Sequence, residues 1–449
     1  MNASVLNPFP LIRWISNLTK TDVAKLNLIH VSGTKGKGST YVFTRGFLSA
    51  HGQRTGFPIQ VGMYSGPHLT ARERIQIYGH HISPDLFTQY FFEVWDQLIS
   101  PDPTSSTMPR YRQSLALLAF HTFIREKVDA AIFEVHYGGE YDSANVIRSP
   151  VATGISSLGL DHTAQLGWTL ESIAWHKAGI FRPGAPAFAA IQEPGPAEVT
   201  IHHVLDRGTT VTFVSPNTRL PTDQGLANAF VHAREPGYMI SDEDIQKGIT
   251  CFSWPGRLQV INDGKLQWFL DGAHNILSLE HAAEWFARAT TSTNTQHRCR
   301  TLIFTHLSQS RDGVALVRFL AQALSSHDAS PEGVIFTTFR AIDPTLIDPT
   351  TAEEPKSPVR DLLERYSSTW KTSNPHTIAT IQNSYQDAIR MVKQLAEGEV
   401  GMRVLITGCL YLVGALSSFW SRRSTKVMME FPLGQQRRGL NKGHLGCQE

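Results

Sequence analysis

Lys37 stands in SGTKGKGST, residues 32–40, a stretch made of the residue types that hold phosphate. Gly33, Gly36 and Gly38 let backbone N–H groups approach an anion that a Cβ would keep away. Thr34 and Lys35 complete the turn. Lys37 can neutralise β- and γ-phosphate oxygens, and the Ser39 or Thr40 hydroxyl can reach Mg²⁺. The usual phosphate loop places Ser or Thr directly after its lysine. Here Gly38 intervenes, so the stretch reads as a nucleotide loop with its own spacing or as an ordinary strand-to-helix turn.

Four further stretches put charge or ligands after a predicted strand, the edge at which open α/β sheets bind their substrates. Glu134, in FEVHYGGEYDSANVI, is a carboxylate suited to a hard cation such as Mg²⁺, or to capping a turn. Asp161 and His162, in GLDHTAQLG, follow a strand directly, and Lys177 lies on the helix beyond. Read alone, His162 is equally a structural histidine and Lys177 a helix-surface lysine. Arg257, in WPGRLQV, follows a Pro-Gly turn and carries a guanidinium suited to planar phosphate contacts. Asp271 and His274 end the strand in WFLDGAHN, where loop polarity and capping are the other reading.

The elements that must position these residues alternate as in an α/β protein. LNLIHV reads as a buried strand before the glycine loop, with apolar residues at helical spacing after Ser39. Ala130 to Val135 and VATGISSL read as strands, and ESIAWHKAGIF as a helix. From about Pro194 to Asp242 the pattern loosens into Pro, Thr and Asn. A second alternating block starts near WPGRLQVI and ends with VLITGCLYLVG. The expectation is an α/β chain: an N-terminal P-loop-type ATPase domain with a mostly parallel sheet over 1–253, and a C-terminal Rossmann-like domain over 254–424. A disordered tail is expected over 425–449.

Composition narrows the function classes. The chain has 449 residues, enough for two domains, and a net charge of +2, which points to no nucleic-acid or lipid partner. Cys251, Cys299, Cys409 and Cys447 are scattered with no CxxC pair, which fits a reducing compartment and offers no zinc site. The run from Val404 to Trp420 is interrupted by Thr407, Gly408 and Gly414, so it reads as strand, turn and helix rather than a membrane span. MNASVLNPFPLIRW shows neither a secretory core nor an amphipathic presequence. The expectation is a cytoplasmic protein, with a mitochondrial form left open.

Taken together, the stretches resemble one family: the folylpolyglutamate synthases, with the related dihydrofolate synthases, within the Mur-ligase-like ATP-dependent amide ligases. The resemblance runs from about Leu26 to Gly414. It is carried by HVSGTKGKGST, SGPHLTARERIQI, EVHYGGEYDSANVI, ISSLGLDHTAQLG, IAWHKAGIF, WPGRLQV, LDGAHN and TGCLYLVG. In that family the glycine between lysine and serine is the loop's own form.

The resemblance implies an enzyme that adds L-glutamate to the γ-carboxylate of tetrahydrofolate through an acyl phosphate. Its alternative is a divergent paralogue joining another acid and amine, or a non-catalytic relative. Lys37 and residues 33–40 would hold ATP. Two Mg²⁺ ions would be held by Ser39, Ser65, Glu134, His162 and a carbamylated Lys177. Arg257, Asp271 and His274 would serve ATP and the incoming amino acid, and His68 and Arg74 the pteroate-type substrate. The implied partners are folate, L-glutamate and ATP, with no nucleic acid or membrane, on a monomer.

Several residues depart from the family pattern. Gly66, in Ser65-Gly66-Pro67-His68, stands where a second hydroxyl is usual. His136 takes the place of a glycine, Glu140 that of a basic or small residue, and Cys409-Leu410-Tyr411-Leu412 that of Ser-Leu-His-Leu. The family's Gly-x-His-Gln-x-x-Asn-Ala motif, which ordinarily helps bind the nucleotide base, survives only as GLANAF, residues 225–230.

Overall fold

A computed structural model describes residues 26–66, 71–99, 109–136, 138–215, 222–291, 299–307, 311–339 and 358–416. They divide into two compact units between Ser253 and Trp254. His68 and the expected tail over 425–449 lie outside the described residues.

The first unit is built on eight strands in the order β4-β3-β2-β5-β1-β6-β7-β8. In chain order these are β1 (Leu28–Ser32), β2 (Val61–Tyr64), β3 (Ile75–Ile77), β4 (His80–His81), β5 (Ala130–Glu134), β6 (Ala152–Ile155), β7 (Ala187–Ala190) and β8 (Val211–Val214). The six from β2 to β8 run parallel, while β3 and β4 add antiparallel at one edge. Parallel neighbours need crossovers, which helices supply. Helix α1 (Lys37–Thr55) leads from β1 towards β2, and α2 (Pro84–Ile99) and α3 (Tyr111–Arg125) precede β5. Both faces of the central strands are covered, so β1 and β2 are buried along their whole length and read as apolar runs rather than alternations. Phe133 stacks on Phe120 of α3 with centroids 4.5 Å apart.

Register places the chemistry. Val31 pairs with Glu134, Tyr64 with Phe133, and Ser32 with Ile155. The carboxyl ends of β2, β5, β1 and β6 therefore lie side by side, bringing Ser65, Glu134, Gly33 and Ser156 onto one edge.

Within the region expected to be loose, 194–242, the described residues 194–215 and 222–242 are ordered. It holds α6 (Pro194–Asp206), β8 and α7 (Thr222–Arg234), preceded by α4 (Thr163–Leu166) and α5 (Leu170–Ala178). Pro194 opens α6 at its first positions, where a missing N–H costs nothing. Leu226 and Phe230 of α7 are fully buried, and Leu226 packs over Gly154 of β6. Interspersed Gly, Asn and His dilute the periodicity that would have marked this helix. Helix α8 (Asp242–Thr250) closes the unit, with Arg54 of α1 on Asp244 at 3.1 and 2.6 Å and buried His51 on Glu235 at 2.8 Å.

The second unit has a six-stranded sheet in the order β13-β12-β11-β14-β10-β9. Its strands are β9 (Gln259–Asp263), β10 (Leu266–Leu270), β11 (Cys299–Phe304), β12 (Gly333–Phe336), β13 (Ile378–Ile381) and β14 (Met402–Thr407). Only β9 is antiparallel. Between them run α9 (Ile276–Thr290), α10 (Gly313–Ser326), α11 (Pro358–Ser373) and α12 (Tyr385–Glu397). Alternate residues feed two cores. Phe269, Leu302, Phe304 and Leu405 meet one, and Trp268, Leu270, Ile303, Val404 and Ile406 the other. No helix among the described residues is long and apolar enough to cross a membrane.

Candidate nucleotide site

After Ser32 the chain turns over Gly33 and enters α1 at Lys37. Gly33 has φ 142° and Gly36 φ 84°, backbone that side chains rarely adopt. A Cβ on Gly33 would also lie 1.9 Å from Ser156 Oγ. The amides of Thr34 and Lys35 donate to Ser157 O at 2.9 and 3.2 Å, and Thr34 Oγ1 donates to Gly159 O at 3.1 Å. These bonds pin the loop to the segment after β6. Gly36, the N-cap of α1, brings no side-chain cap, and the first turn carries no acidic residue. A 19-residue helix with such a start presents its first N–H groups and the positive end of its dipole to an anion. Ser39 lies in that turn, half-buried, and Thr40 is buried there.

Three charged side chains converge on this loop. Lys37 Nζ donates to Gly33 O at 3.1 Å, and Lys177 Nζ, from the last turn of α5, donates to the same oxygen at 2.7 Å. Lys177 is only 3% exposed. Burial, and after it the charge of Lys37, hold its amine well below the usual lysine range. Glu134 Oε1 lies 3.9 Å from Lys37 Nζ, and its Oε2 accepts from Gly66 N at 3.3 Å. Ser65 is buried at the adjoining strand end, with its hydroxyl on Gly66 O at 3.4 Å. On the other flank Asp161 pairs with Lys35 at 3.5 Å. His162 is exposed, with φ 54°, at the start of α4, and its N–H donates to Asp161 Oδ1 at 3.0 Å.

Among the described residues no three His, Cys, Asp or Glu side chains gather as a metal centre. The donors at the loop are instead one carboxylate, Glu134, and the hydroxyls of Ser39 and Ser65. This oxygen set fits a hard cation that keeps most of its waters, as Mg²⁺ does.

Sequence reasoning passed over Ser156, which fills the space under Gly33, and Asp142, which anchors the turn after β5. The signal for each was a small or acidic residue just beyond a strand. Arg74, singled out beforehand, is buried with its Nη1 on Ser65 O at 3.3 Å. Glu140 faces away from the loop: both carboxylate oxygens accept from Arg207 Nη2, at 2.9 and 2.8 Å, and its N–H donates to His176 O at 2.7 Å. It ties α5 to the end of α6. Glu140→Ala is expected to cost about 1–2 kcal/mol in a urea melt and to leave turnover unchanged. A loss of turnover without a loss of stability would contradict this role.

In the second unit the Pro-Gly turn and the end of β10 come together. Gly272 N donates to Gly256 O at 3.1 Å, and Leu258 N to Asp271 Oδ2 at 3.0 Å. Asp271 is buried, and Arg257 Nη1 lies 3.3 Å from where a Cβ on Gly272 would sit. His274 shares a hydrogen bond with Gly272 O through Nδ1 at 2.8 Å, which puts the ring proton on that nitrogen. Arg257, Asp271 and His274 thus form one local cluster.

Known proteins match both units. The family model described as "Dihydrofolate synthetase, C-terminal domain" matches residues 256–419. A probable folylpolyglutamate synthase of Schizosaccharomyces pombe is 37% identical, over 88% of this chain and 84% of its own length. The folylpolyglutamate synthase of Neurospora crassa is 33% identical, over 88% and 81%. Among solved structures, Mycobacterium tuberculosis folylpolyglutamate synthase complexed with ADP superposes with a TM-score of 0.73 at 22% identity, covering 93% of this chain and 95% of its own. E. coli FolC in complex with ADP does so at 0.68 and 21%, covering 94% and 95%. The structural likeness carries the fold, and the identity along most of both chains carries the kinship: the chain belongs to the folylpolyglutamate synthase family.

Proposed function

We propose that this chain is an ATP-dependent ligase that adds L-glutamate to the γ-carboxylate of a tetrahydrofolate. The observation that carries this reading is the meeting of Lys37 and Lys177 on Gly33 O, with Glu134 3.9 Å from Lys37. In this reading the first-turn amides of α1 and Lys37 hold the β- and γ-phosphates, and Ser39, Ser65 and Glu134 face the accompanying Mg²⁺, with His162 on the neighbouring loop. When bound, Mg²⁺ offsets charge on the phosphate oxygens.

The γ-phosphoryl group passes to the folate carboxylate, giving an acyl phosphate and ADP. The neutral amine of glutamate attacks the acyl carbon, the C–N bond forms, and inorganic phosphate leaves with the C–O electron pair and takes up the proton the nitrogen releases. Neither step needs a protein nucleophile; both need fixed positive charge and alignment. Lys177 has a further part. Burial eases loss of its proton, and the neutral amine can add CO₂ and release that proton to become a carbamate, which would supply oxygen ligands beside Gly33 for a second cation. On the second unit Arg257, Asp271 and His274 are the groups suited to phosphate and to the amino acid. The reading extends to a cytoplasmic location, supported by the scattered cysteines, and, by the family resemblance, to a monomer.

Purified protein with ATP, Mg²⁺ and glutamate, offered tetrahydrofolate and separately dihydropteroate, tests the reading. Glutamate-dependent ADP release with tetrahydrofolate is expected. Release only with some other acid, or with none, would overturn it.

A further inference from the structure

Beside the loop lies a buried polar chain that the mechanism above leaves unused. Arg74 closes a 3₁₀ turn (Ala71–Arg74) and grips Ser65 twice. Its carbonyl accepts from Ser65 N at 3.0 Å, and its Nη1 donates to Ser65 O at 3.3 Å and also to His136 Nε2. A guanidinium can only donate, so Nε2 is an acceptor and the imidazole proton sits on Nδ1. That nitrogen lies 3.8 Å from Asp142 Oδ1. The backbone N–H of His136 donates to Asp142 Oδ2 at 3.1 Å, and Ala144 N to Oδ1 at 2.9 Å. Burial opposes the charge on Asp142, yet His136 and the Ala144 amide hold its carboxyl below the usual range. Tyr64 stands edge-on to the imidazole with centroids 5.3 Å apart. Carboxylate, imidazole and guanidinium thus run in sequence from the turn after β5 to the end of β2, so the buried arginine has its counter-charge one residue away.

The far end of this chain is Gly66. No described atom lies within 4 Å of where its Cβ would be. Its N–H nevertheless donates to Glu134 Oε2 at 3.3 Å. Its neighbour Ser65 is held by Arg74 through a backbone bond and the guanidinium, and that guanidinium is in turn held by His136.

We propose that His136 is a positioning residue for Glu134: through Arg74 it holds the Ser65–Gly66 turn, whose amide aims the carboxylate at the cation accompanying ATP. This rests on the nucleotide-site reading above. Groups that orient a metal ligand in this way are typically worth about 10–100-fold in metal affinity.

The test is equilibrium binding of a fluorescent ATP analogue to the full chain, with and without Mg²⁺, alongside thermal melting. His136→Leu is expected to raise the Mg²⁺ concentration for half-saturation about tenfold, and His136→Gln, which can accept and donate, to restore most of it. Binding in EDTA is expected to match the wild type in both. Arg74→Lys, which cannot span both partners, is expected to shift the Mg²⁺ dependence as His136→Leu does, and decides the matter if His136→Leu fails to fold. Unchanged Mg²⁺ dependence in the folded variants, or an equal loss with and without Mg²⁺, would overturn the proposal. Lys37→Ala separates the two levels: analogue binding that survives it removes the nucleotide-site reading, whereas its loss with an unchanged His136 series removes only the positioning role.

Discussion

Lys37→Ala is expected to lower ATP turnover by roughly 10³-fold, the scale of removing one preorganised charge from a phosphoryl or acyl transition state. Lys37 Nζ lies 3.9 Å from the Glu134 carboxylate and opens the helix whose uncapped first turn the proposed function assigns to phosphate. Without it the phosphates lose the lysine charge that the proposed function gives them, and Glu134 loses the cation 3.9 Å away. The fold should survive, because the loop is pinned by backbone bonds from Thr34 and Lys35 to Ser157 O that the substitution leaves alone. ADP release and a thermal melt on the same preparation check both halves. Turnover close to wild type in a well-folded variant would remove Lys37 from the site.

Lys177→Met should separate activity from stability in opposite directions. A buried lysine is costly to the fold, since burial disfavours its charged form. An apolar chain of similar length is therefore expected to leave stability equal or raise it by about 1–2 kcal/mol, because apolar replacements of buried ionic groups are often neutral or stabilising. Turnover is expected to fall by roughly 10³-fold, because the group beside Gly33 O can no longer serve phosphate or cation.

The pH dependence has a definite sign. An unfolded lysine keeps its proton to about pH 10.4, whereas the native one, its pKa depressed, releases it earlier. Between those values the unfolded state binds more protons, so wild-type stability rises with pH in CO₂-free buffer. The Lys177→Met variant should lack that rise. Denaturant melts across alkaline pH measure it, and a variant that keeps both the rise and the turnover would refute the assignment. In ¹³C-bicarbonate, a carbamate resonance present in wild type and absent from Lys177→Met is the companion observation.

The residues 26–50 were legible as they stand, because strand, glycine turn and helix start are consecutive and their geometry is local. The same holds for the strands at Ala130 and Ala152, whose apolar runs follow from burial on both faces. The described parts of 194–242 were not legible as ordered structure, since α7 gains its place by packing Leu226 on Gly154 rather than by a strong apolar stripe. Nor did the sequence tell that Glu140 serves Arg207, or that His136 joins Arg74 to Asp142.

What the sequence by itself determined is the chemistry on offer: a glycine loop with Lys37, a strand-end carboxylate at Glu134, and a kinship readable from ordered motifs. What only the tertiary structure decided is which of these groups meet. Lys177 reaches Gly33 O across a separation of 144 residues, and Glu134 lies beside Val31 because β5 is inserted next to β1. The physical reason is that a parallel sheet orders its strands by crossover and side-chain packing, and sets its register by backbone hydrogen bonds. None of these has a local signature along the chain.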